Sequence, residues 1–326
     1  MANHELAADE LQIVLEGRHS AANVVVGGNS SVTRVEAFGE AFAVKAYGGH
    51  SDPLARLRRE HFSVAAVSRS GFPGFAQVRG VSEPDLLAVF SWIEGSHPSI
   101  DAAFVSAALA VLRRLHELSG ACPFETFPEA VDAVFERSQL LSQLASRTKT
   151  LLESDIPEVS IFAKQQLTPA LRNVPMLRRA DDGGSITLSP SDFGPHNLLR
   201  PAGSEELVCI DLEFFGWDDA TKLVCDALLH PMARWSIELA EAFLEGAAQT
   251  YGISPERILL HGRAFALKWS AIVARRAEGM LRDENAEGFR ALRLAGAYLN
   301  FGVAPLGRAG PNVGDLTAIA PKEDGV

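Results

Sequence analysis

Residues 189–200 read SPSDFGPHNLLR, and residues 208–219 read VCIDLEFFGWDD. The first phrase sets Asp192 and Asn197 five positions apart, between the β-like SITLS (185–189) and a Leu198-Leu199 pair that anchors the loop in a core. The second delivers Asp211 at the end of a short apolar strand. Two carboxylates and a side-chain amide in these contexts meet the needs of phosphoryl transfer. One carboxylate faces an acceptor hydroxyl, and hard oxygen ligands hold Mg²⁺ against nucleotide phosphates. The spacing alone carries little weight. Asp192 and Asn197 equally suit a turn beside Gly194 and Pro195, and Asp211 a strand-end turn before Gly216.

Upstream residues supply the other parts such chemistry uses. Lys45 sits inside the apolar strand AFAVKAY (41–47), where a cation for non-transferred phosphates is expected; snorkelling from an edge strand is the ordinary alternative. Glu60, fifteen residues on, can pair with it, or can be a solvated helix charge beside Arg58 and Arg59. Gly27, Gly28, Asn29, Ser30 and Ser31 form a small-residue loop between strand-like runs, able to offer N–H and hydroxyl donors to phosphate. It is no P-loop, because no Gly-Lys-Ser/Thr follows, and Gly-Gly-Asn is also simply a good turn. The order of these elements carries more weight than any one of them.

The first 95 residues hold most strand signals. SVTRVEAF (31–38) alternates polar and apolar residues and returns as AFAVKAY through a bend expected at Gly39 and Glu40. SDPLARLRREHFSVAAVSRSG (51–71) predicts a helix capped by Asp52, opened by Pro53 and closed by Gly71, with Leu54, Leu57, Phe62 and Ala65 on one face. FAQVRGV (75–81) and LLAVFSWI (86–93) predict strands. Beyond EGSHPS (94–99), helices are expected at 101–118, about 127–152, 157–179, 221–250, 255–282 and 285–301. The expected organisation is a strand-rich lobe with hinge (1–95), a helical lobe (96–307) and a flexible tail (308–326).

The 326 residues carry a net charge of −11, which argues against a general affinity for nucleic acid or anionic membrane. Cys122, Cys209 and Cys225 fit no zinc spacing; the latter two read as small core residues and point to a reducing compartment. The N-terminus lacks a basic segment before an apolar run, and AAFVSAALAVLRRLHEL (102–118) is interrupted by Arg113 and Arg114 before membrane-spanning length. A cytoplasmic protein is expected.

The chain resembles the aminoglycoside phosphotransferase and choline kinase superfamily from about Val24 to residue 301. SDFGPHNLL (191–199) is similar to that family's HGDxxxxNLL loop, CIDLEFFGWDDATKLVCDALLHP (209–231) to its metal-binding segment, and LRRLHEL (112–118) to the end of its post-hinge helix. The resemblance implies an α+β, two-lobed, protein-kinase-like fold. It makes Asp192 the catalytic residue and Asn197 and Asp211 the Mg²⁺ ligands. Lys45, partnered by Glu60, would hold the α- and β-phosphates of ATP, and Ser30 and Ser31 would lie in the phosphate loop. Ser91, Trp92 and Ile93 would meet adenine through backbone groups. Asp226 matches a helix Asp that braces the catalytic loop in relatives, or is an ordinary first-turn Asp; His116 reads as a hydrogen-bonded core histidine. Pro190-Ser191 stands where relatives carry His-Gly, and proline offers no donor. A small-molecule hydroxyl acceptor is therefore expected, and a nucleotide-binding pseudokinase serving as an interaction or regulatory module is the alternative. The segment 267–284 offers Trp269, Arg275, Arg276 and Glu278 to an acceptor pocket, or Trp269, Ile272 and Met280 to the core with solvated charges.

Overall fold

A computed structural model describes residues 5–18, 24–27, 30–49, 52–69, 74–174, 185–304, 313–317 and 319. Helix α1 (Ala8–Gly17) precedes strands β1 (Val24–Gly27), β2 (Ser30–Ala37) and β3 (Glu40–Ala46), helix α2 (Pro53–Arg69), and strands β4 (Val78–Ser82) and β5 (Leu87–Ser91). These strands form one antiparallel sheet of order β1-β2-β3-β5-β4. The β2–β3 bend falls one residue earlier than expected, on Phe38 and Gly39, with φ of 55° and 76°. Two successive left-handed residues match the twist of a two-residue hairpin, and Glu40 is thereby released to pair with Ala37.

The period of two divides β3 between two cores. Phe42 and Val44 face α1 in a cluster with Val14, Leu15, Val35, Leu87 and Val89. The alternate residues reach the opposite face, where Tyr47 packs with Leu57, Val64 and Val67 of α2. Lys45 lies on that second face and is 5% exposed, on the central strand of the sheet, so the edge-strand explanation does not apply. The buried stripe of α2 is Leu57, Glu60, Ser63, Val64 and Val67. Phe62, expected inward, is exposed and meets Phe127 edge-on. Gly71 lies outside the described residues.

The rest of the described chain is mainly helical: α3 (Ala102–Ala121), α4 (Arg137–Leu152), α5 (Pro157–Phe162), a π turn over Ala163–Leu167, α6 (Thr168–Ala170), α7 (Ala220–Leu229), α8 (Ile237–Tyr251), α9 (Pro255–Arg282), α10 (Glu287–Val303) and α11 (Val313–Thr317). Residues 127–136, expected helical, form an irregular bridge and turn, with Pro128 O and Ala130 N bonded to the backbone of Trp217 and Ala133 N–H turned back to Ala130 O. The single helix expected over 221–250 is two helices, broken at Pro231. Among the residues described beyond 308, Val313 and Ile319 are buried with the helical core. Cys209 and Cys225 are core residues, as expected. Arg275 and Arg276 are exposed, Arg275 donating to Glu278, which is buried and also accepts from Ser154 Oγ at 2.8 Å. Among the described residues, no helix is long and apolar enough to cross a membrane.

Five short strands hold the two Asp phrases together: β6 (Gly95–Ser96), β7 (Ile186–Ser189), β8 (Leu198–Pro201), β9 (Val208–Cys209) and β10 (Gly216–Asp219). The loop 190–197 runs from β7 to β8, and the loop 210–215 from β9 to β10. Antiparallel pairing of β7 with β10 and of β8 with β9 clamps the ends of both loops side by side. Ile210 N–H donates to Asn197 O at 3.0 Å and ties them again. Strand β6 joins β8, so the segment after β5 is fastened to the same unit. A Cβ on Gly95 would stand 2.3 Å from Arg200 O. Gly95→Ala is expected to cost at least about 1–3 kcal/mol by overpacking. Gly48→Ala, with open space around it, should change stability by less than about 0.5 kcal/mol. Urea unfolding of both variants checks this pair.

Candidate active site

Lys45 Nζ lies 2.6 Å from Glu60 Oε2, 2.5 Å from Asp211 Oδ1 and 3.5 Å from Glu213 Oε2. Strand β3 contributes the lysine, α2 the first carboxylate, and the loop after β9 the other two. Tyr47, two residues on from Lys45 and so on the same face, donates its hydroxyl to Glu60 Oε2. Glu60 Oε1 accepts from Leu212 N–H at 3.0 Å, which ties α2 directly to the Asp211 loop. Arg56, one turn before Glu60, donates to Glu213 Oε1 at 2.6 Å.

Burial alone would lower the Lys45 pKa, but Glu60, Asp211 and Glu213 outweigh it and hold the ammonium above its ordinary range. Burial pushes Glu60 upward against the pull of Lys45. Burial and the Asp211 charge push Glu213 upward as well. Three carboxylates thus share two cations. Asp211 is the most accessible of the three, its side chain 37% exposed against 2% and 3% for Glu60 and Glu213. Its backbone adopts a left-handed φ of 63°, a conformation that Asp tolerates better than bulkier residues and that turns the side chain back toward Lys45.

Asp192 occupies the neighbouring loop. His230 Nε2 stands 3.1 Å from its Oδ1 and His196 Nε2 3.4 Å from its Oδ2. Burial raises the Asp192 carboxyl pKa, yet hydrogen bonding to His196 and His230 outweighs this and sets it below the usual range. Asn197 is buried, and its Nδ2 donates to Asp192 O at 3.1 Å, which leaves Oδ1 as the acceptor face of that amide. Pro190-Ser191 does not leave the loop unsupported. Ser191 N–H donates to Ser189 Oγ at 2.9 Å, and Ser191 Oγ donates to Val131 O at 2.7 Å.

Lys45, Glu60 and Asp211 therefore converge, and Asp192 and Asn197 share the adjoining loop. Other expectations change. Ser30 and Ser31 open β2, paired with Gly27 and Val26, so they are strand residues; Gly28 and Asn29 lie outside the described residues. Ser91 and Trp92 N–H groups are engaged by Gln77 O and Ala41 O, while the Ile93 N–H has no partner among the described residues. Asp226 bonds Lys222 at 3.1 Å and Trp269 Nε1 at 2.9 Å rather than the catalytic loop. His116 is exposed, its ring edge-on to Tyr251. Sequence reasoning gave no role to Tyr47, Arg56, Glu213, His196 or His230, although the last three lie inside the quoted phrases and Glu213 falls where relatives also carry an acid. The i+2 spacing from Lys45 to Tyr47 and from Asp211 to Glu213 was a usable signal for two of them.

This is a protein-kinase-like arrangement of a small antiparallel sheet and a larger helical part. The profile of the phosphotransferase enzyme family (APH) matches residues 23–261, and the chain belongs to that family. A choline/ethanolamine kinase family protein from Mesorhizobium loti superposes with a TM-score of 0.61 at 16% identity, covering 94% of each chain. Choline kinase LicA from Streptococcus pneumoniae gives 0.58 at 15% identity, over 90% of this chain and 99% of its own. Macrolide 2'-phosphotransferase MphH from Brachybacterium faecium gives 0.57 at 18% identity, over 93% and 100%. LicA is also solved with AMP, and a spectinomycin phosphotransferase with ADP and spectinomycin. No curated protein matches the sequence significantly.

Lys45→Met removes the shared cation and leaves buried Glu60 without its ion-pair partner. The expected loss is about 3–5 kcal/mol of stability at pH 8. Uncompensated burial raises the folded-state carboxyl pKa, so the folded state binds more protons than the unfolded chain. The deficit relative to wild type should therefore shrink as pH falls from 8 to 5, measured by urea unfolding at each pH.

Proposed function

We propose that the chain is an ATP- and Mg²⁺-dependent phosphotransferase that moves the γ-phosphate to a hydroxyl of a small molecule. The observation that carries this reading is Lys45 held between Glu60 and Asp211, beside the loop of Asp192 and Asn197, in a member of a phosphotransferase family. The nucleotide would enter between the sheet-bearing lobe (1–95) and the helical lobe (96–307). Adenine would meet the Ile93 N–H, and Lys45 would turn from Asp211 to the phosphates while keeping Glu60.

The donor set fits Mg²⁺. Asn197 Oδ1 is left as an acceptor by the amide's bond to Asp192 O, and Asp211 adds a half-exposed carboxylate. Held by these two residues, Mg²⁺ would offset negative charge on the phosphates. Asp192 orients the acceptor hydroxyl and takes its proton; its depressed pKa keeps it ionised at neutral pH. Little bond-making is asked of the protein, and positioning supplies most of the effect. Uncoupled cysteines, two of them in the core, agree with a reducing cytoplasm. The acceptors named for the structural neighbours, choline, ethanolamine, macrolides and spectinomycin, define the first panel to test.

Mg·ATP at a hundredfold over its Kd should stabilise the protein by about 2.7 kcal/mol, with the shift abolished by EDTA. Asp192→Asn should keep that thermal shift and lose about 10²–10⁴-fold in phosphate transfer from labelled ATP to a metabolite panel. Binding without transfer to any hydroxyl compound would select the pseudokinase reading, and absence of any ATP-induced shift would reject both.

A further inference from the structure

His230 closes the quoted 209–231 segment without a role of its own there, yet it touches Asp192 from 38 positions away in sequence. Its environment fixes which ring nitrogen carries the proton. Met232 N–H donates to His230 Nδ1 at 3.1 Å, so Nδ1 is the acceptor and Nε2 bears the hydrogen. That Nε2 stands 3.1 Å from Asp192 Oδ1. This buried oxygen has no formed hydrogen bond despite that distance, a common feature of catalytic contacts before substrate tightens them.

The ring has little freedom. Trp269 packs edge-on at 5.1 Å, and its indole N–H is held by Asp226 Oδ1 at 2.9 Å. His196 stacks on it at 4.8 Å. A Cβ on Gly194 would lie 2.8 Å from His230 Cε1 and 2.6 Å from His196 Nδ1, so the loop must carry glycine there to approach both rings. Pro231 stops α7 just beyond His230 and sets Met232 N–H against the ring.

Asp192, His196 and His230 also offer three ligand atoms within 4.8 Å of one another, the geometry of a metal cluster. The tautomer argues otherwise. An ion on His230 Nε2 needs that nitrogen unprotonated while Nδ1 continues to accept from Met232, which demands an imidazolate. The same bond makes His230 a fixed donor.

We propose that His230 is a positioning residue for Asp192: its Nε2–H pins the buried Oδ1, so that the more open Oδ2 faces the acceptor. This rests on Asp192 being the base of the phosphotransferase reading. In the step it serves, the acceptor oxygen bonds the γ-phosphorus as the bond to the bridging oxygen of ADP breaks. The acceptor's proton passes to Asp192 Oδ2. The brace expected from Asp226 thus reaches the loop indirectly, through Trp269 and His230.

Two readouts on the full chain test the proposal. With Mg·ATP and water as the acceptor, His230→Leu should lower kcat for ATP hydrolysis about 10–100-fold, since small displacements of a reacting group have effects of that size. KM for ATP should change less than about twofold, because His230 touches no nucleotide-binding residue, and His230→Gln should restore most of the rate through its amide donor. Independently of turnover, long-range ¹H–¹⁵N spectra of ¹⁵N-histidine-labelled protein should show His230 neutral with its proton on Nε2. Unchanged kcat in a folded His230→Leu, failure of Gln to rescue, or a proton on Nδ1 would overturn the assignment. So would Zn²⁺ stabilising wild type but not His230→Leu, the mark of a metal site. Wild type that hydrolyses no ATP would count against the phosphotransferase reading itself, while the spectra still judge the tautomer.

Discussion

One ammonium group organises this structure. Lys45 Nζ is buried under the sheet and satisfied by Glu60 from α2 and Asp211 from the loop after β9. Burying a lone lysine costs several kcal/mol, and burying lone carboxylates costs as much. Each partner is tolerable only because the others are present, so three distant segments must assemble together. Tyr47, Arg56 and the Leu212 N–H extend the same arrangement until nearly every polar atom of the cluster has a partner. The exception is Glu213 Oε2, which is buried without a hydrogen bond. Such a cluster is poor evidence for stability and good evidence for a task, because a hydrophobic packing of similar volume would serve folding better.

The second constraint is mechanical. Asp192 and Asp211 sit on loops whose ends are fixed by the β7–β10 and β8–β9 ladders, with a further backbone bond between Ile210 and Asn197. Short ladders are weak alone. Here the β7–β10 ladder packs on α7, whose ten residues are all buried and which packs in turn on the long α9. The proposed catalytic groups are on loops, and their supports are on regular elements, which is how precise geometry is kept in loop segments. Loss of the usual His-Gly before Asp192 is accommodated by two serine hydroxyls and by the rings of His196 and His230.

Much of this was legible in the sequence because local pattern and tertiary role agreed. Alternation in β2 and β3 gave the hairpin, and the apolar runs around the two Asp phrases gave their strands. The errors arose where tertiary contacts overrode pattern. Phe62 was placed inward because hydrophobic residues usually are, but the stripe position belongs to Glu60, whose burial is worthwhile only beside Lys45. Residues 127–136 have helical composition, yet their backbone groups are drawn to Phe214, Trp217 and Asp218 instead of a helix ladder. The role of His230 was not legible even though it closes the quoted 209–231 segment, since neither spacing nor composition announces a contact made across 38 positions.

The central claim of the proposed function is that Asn197 and Asp211 hold one nucleotide-bound divalent cation while Lys45 holds the phosphates beside it. Anomalous diffraction from crystals grown with Mn²⁺ and a non-hydrolysable ATP analogue tests it most directly. The account predicts a manganese peak ligated by Asn197 Oδ1 and the Asp211 carboxylate, with Lys45 Nζ on a phosphate oxygen and still bonded to Glu60. Manganese seated instead among Asp192, His196 and His230, or nucleotide bound with Lys45 untouched, would contradict it.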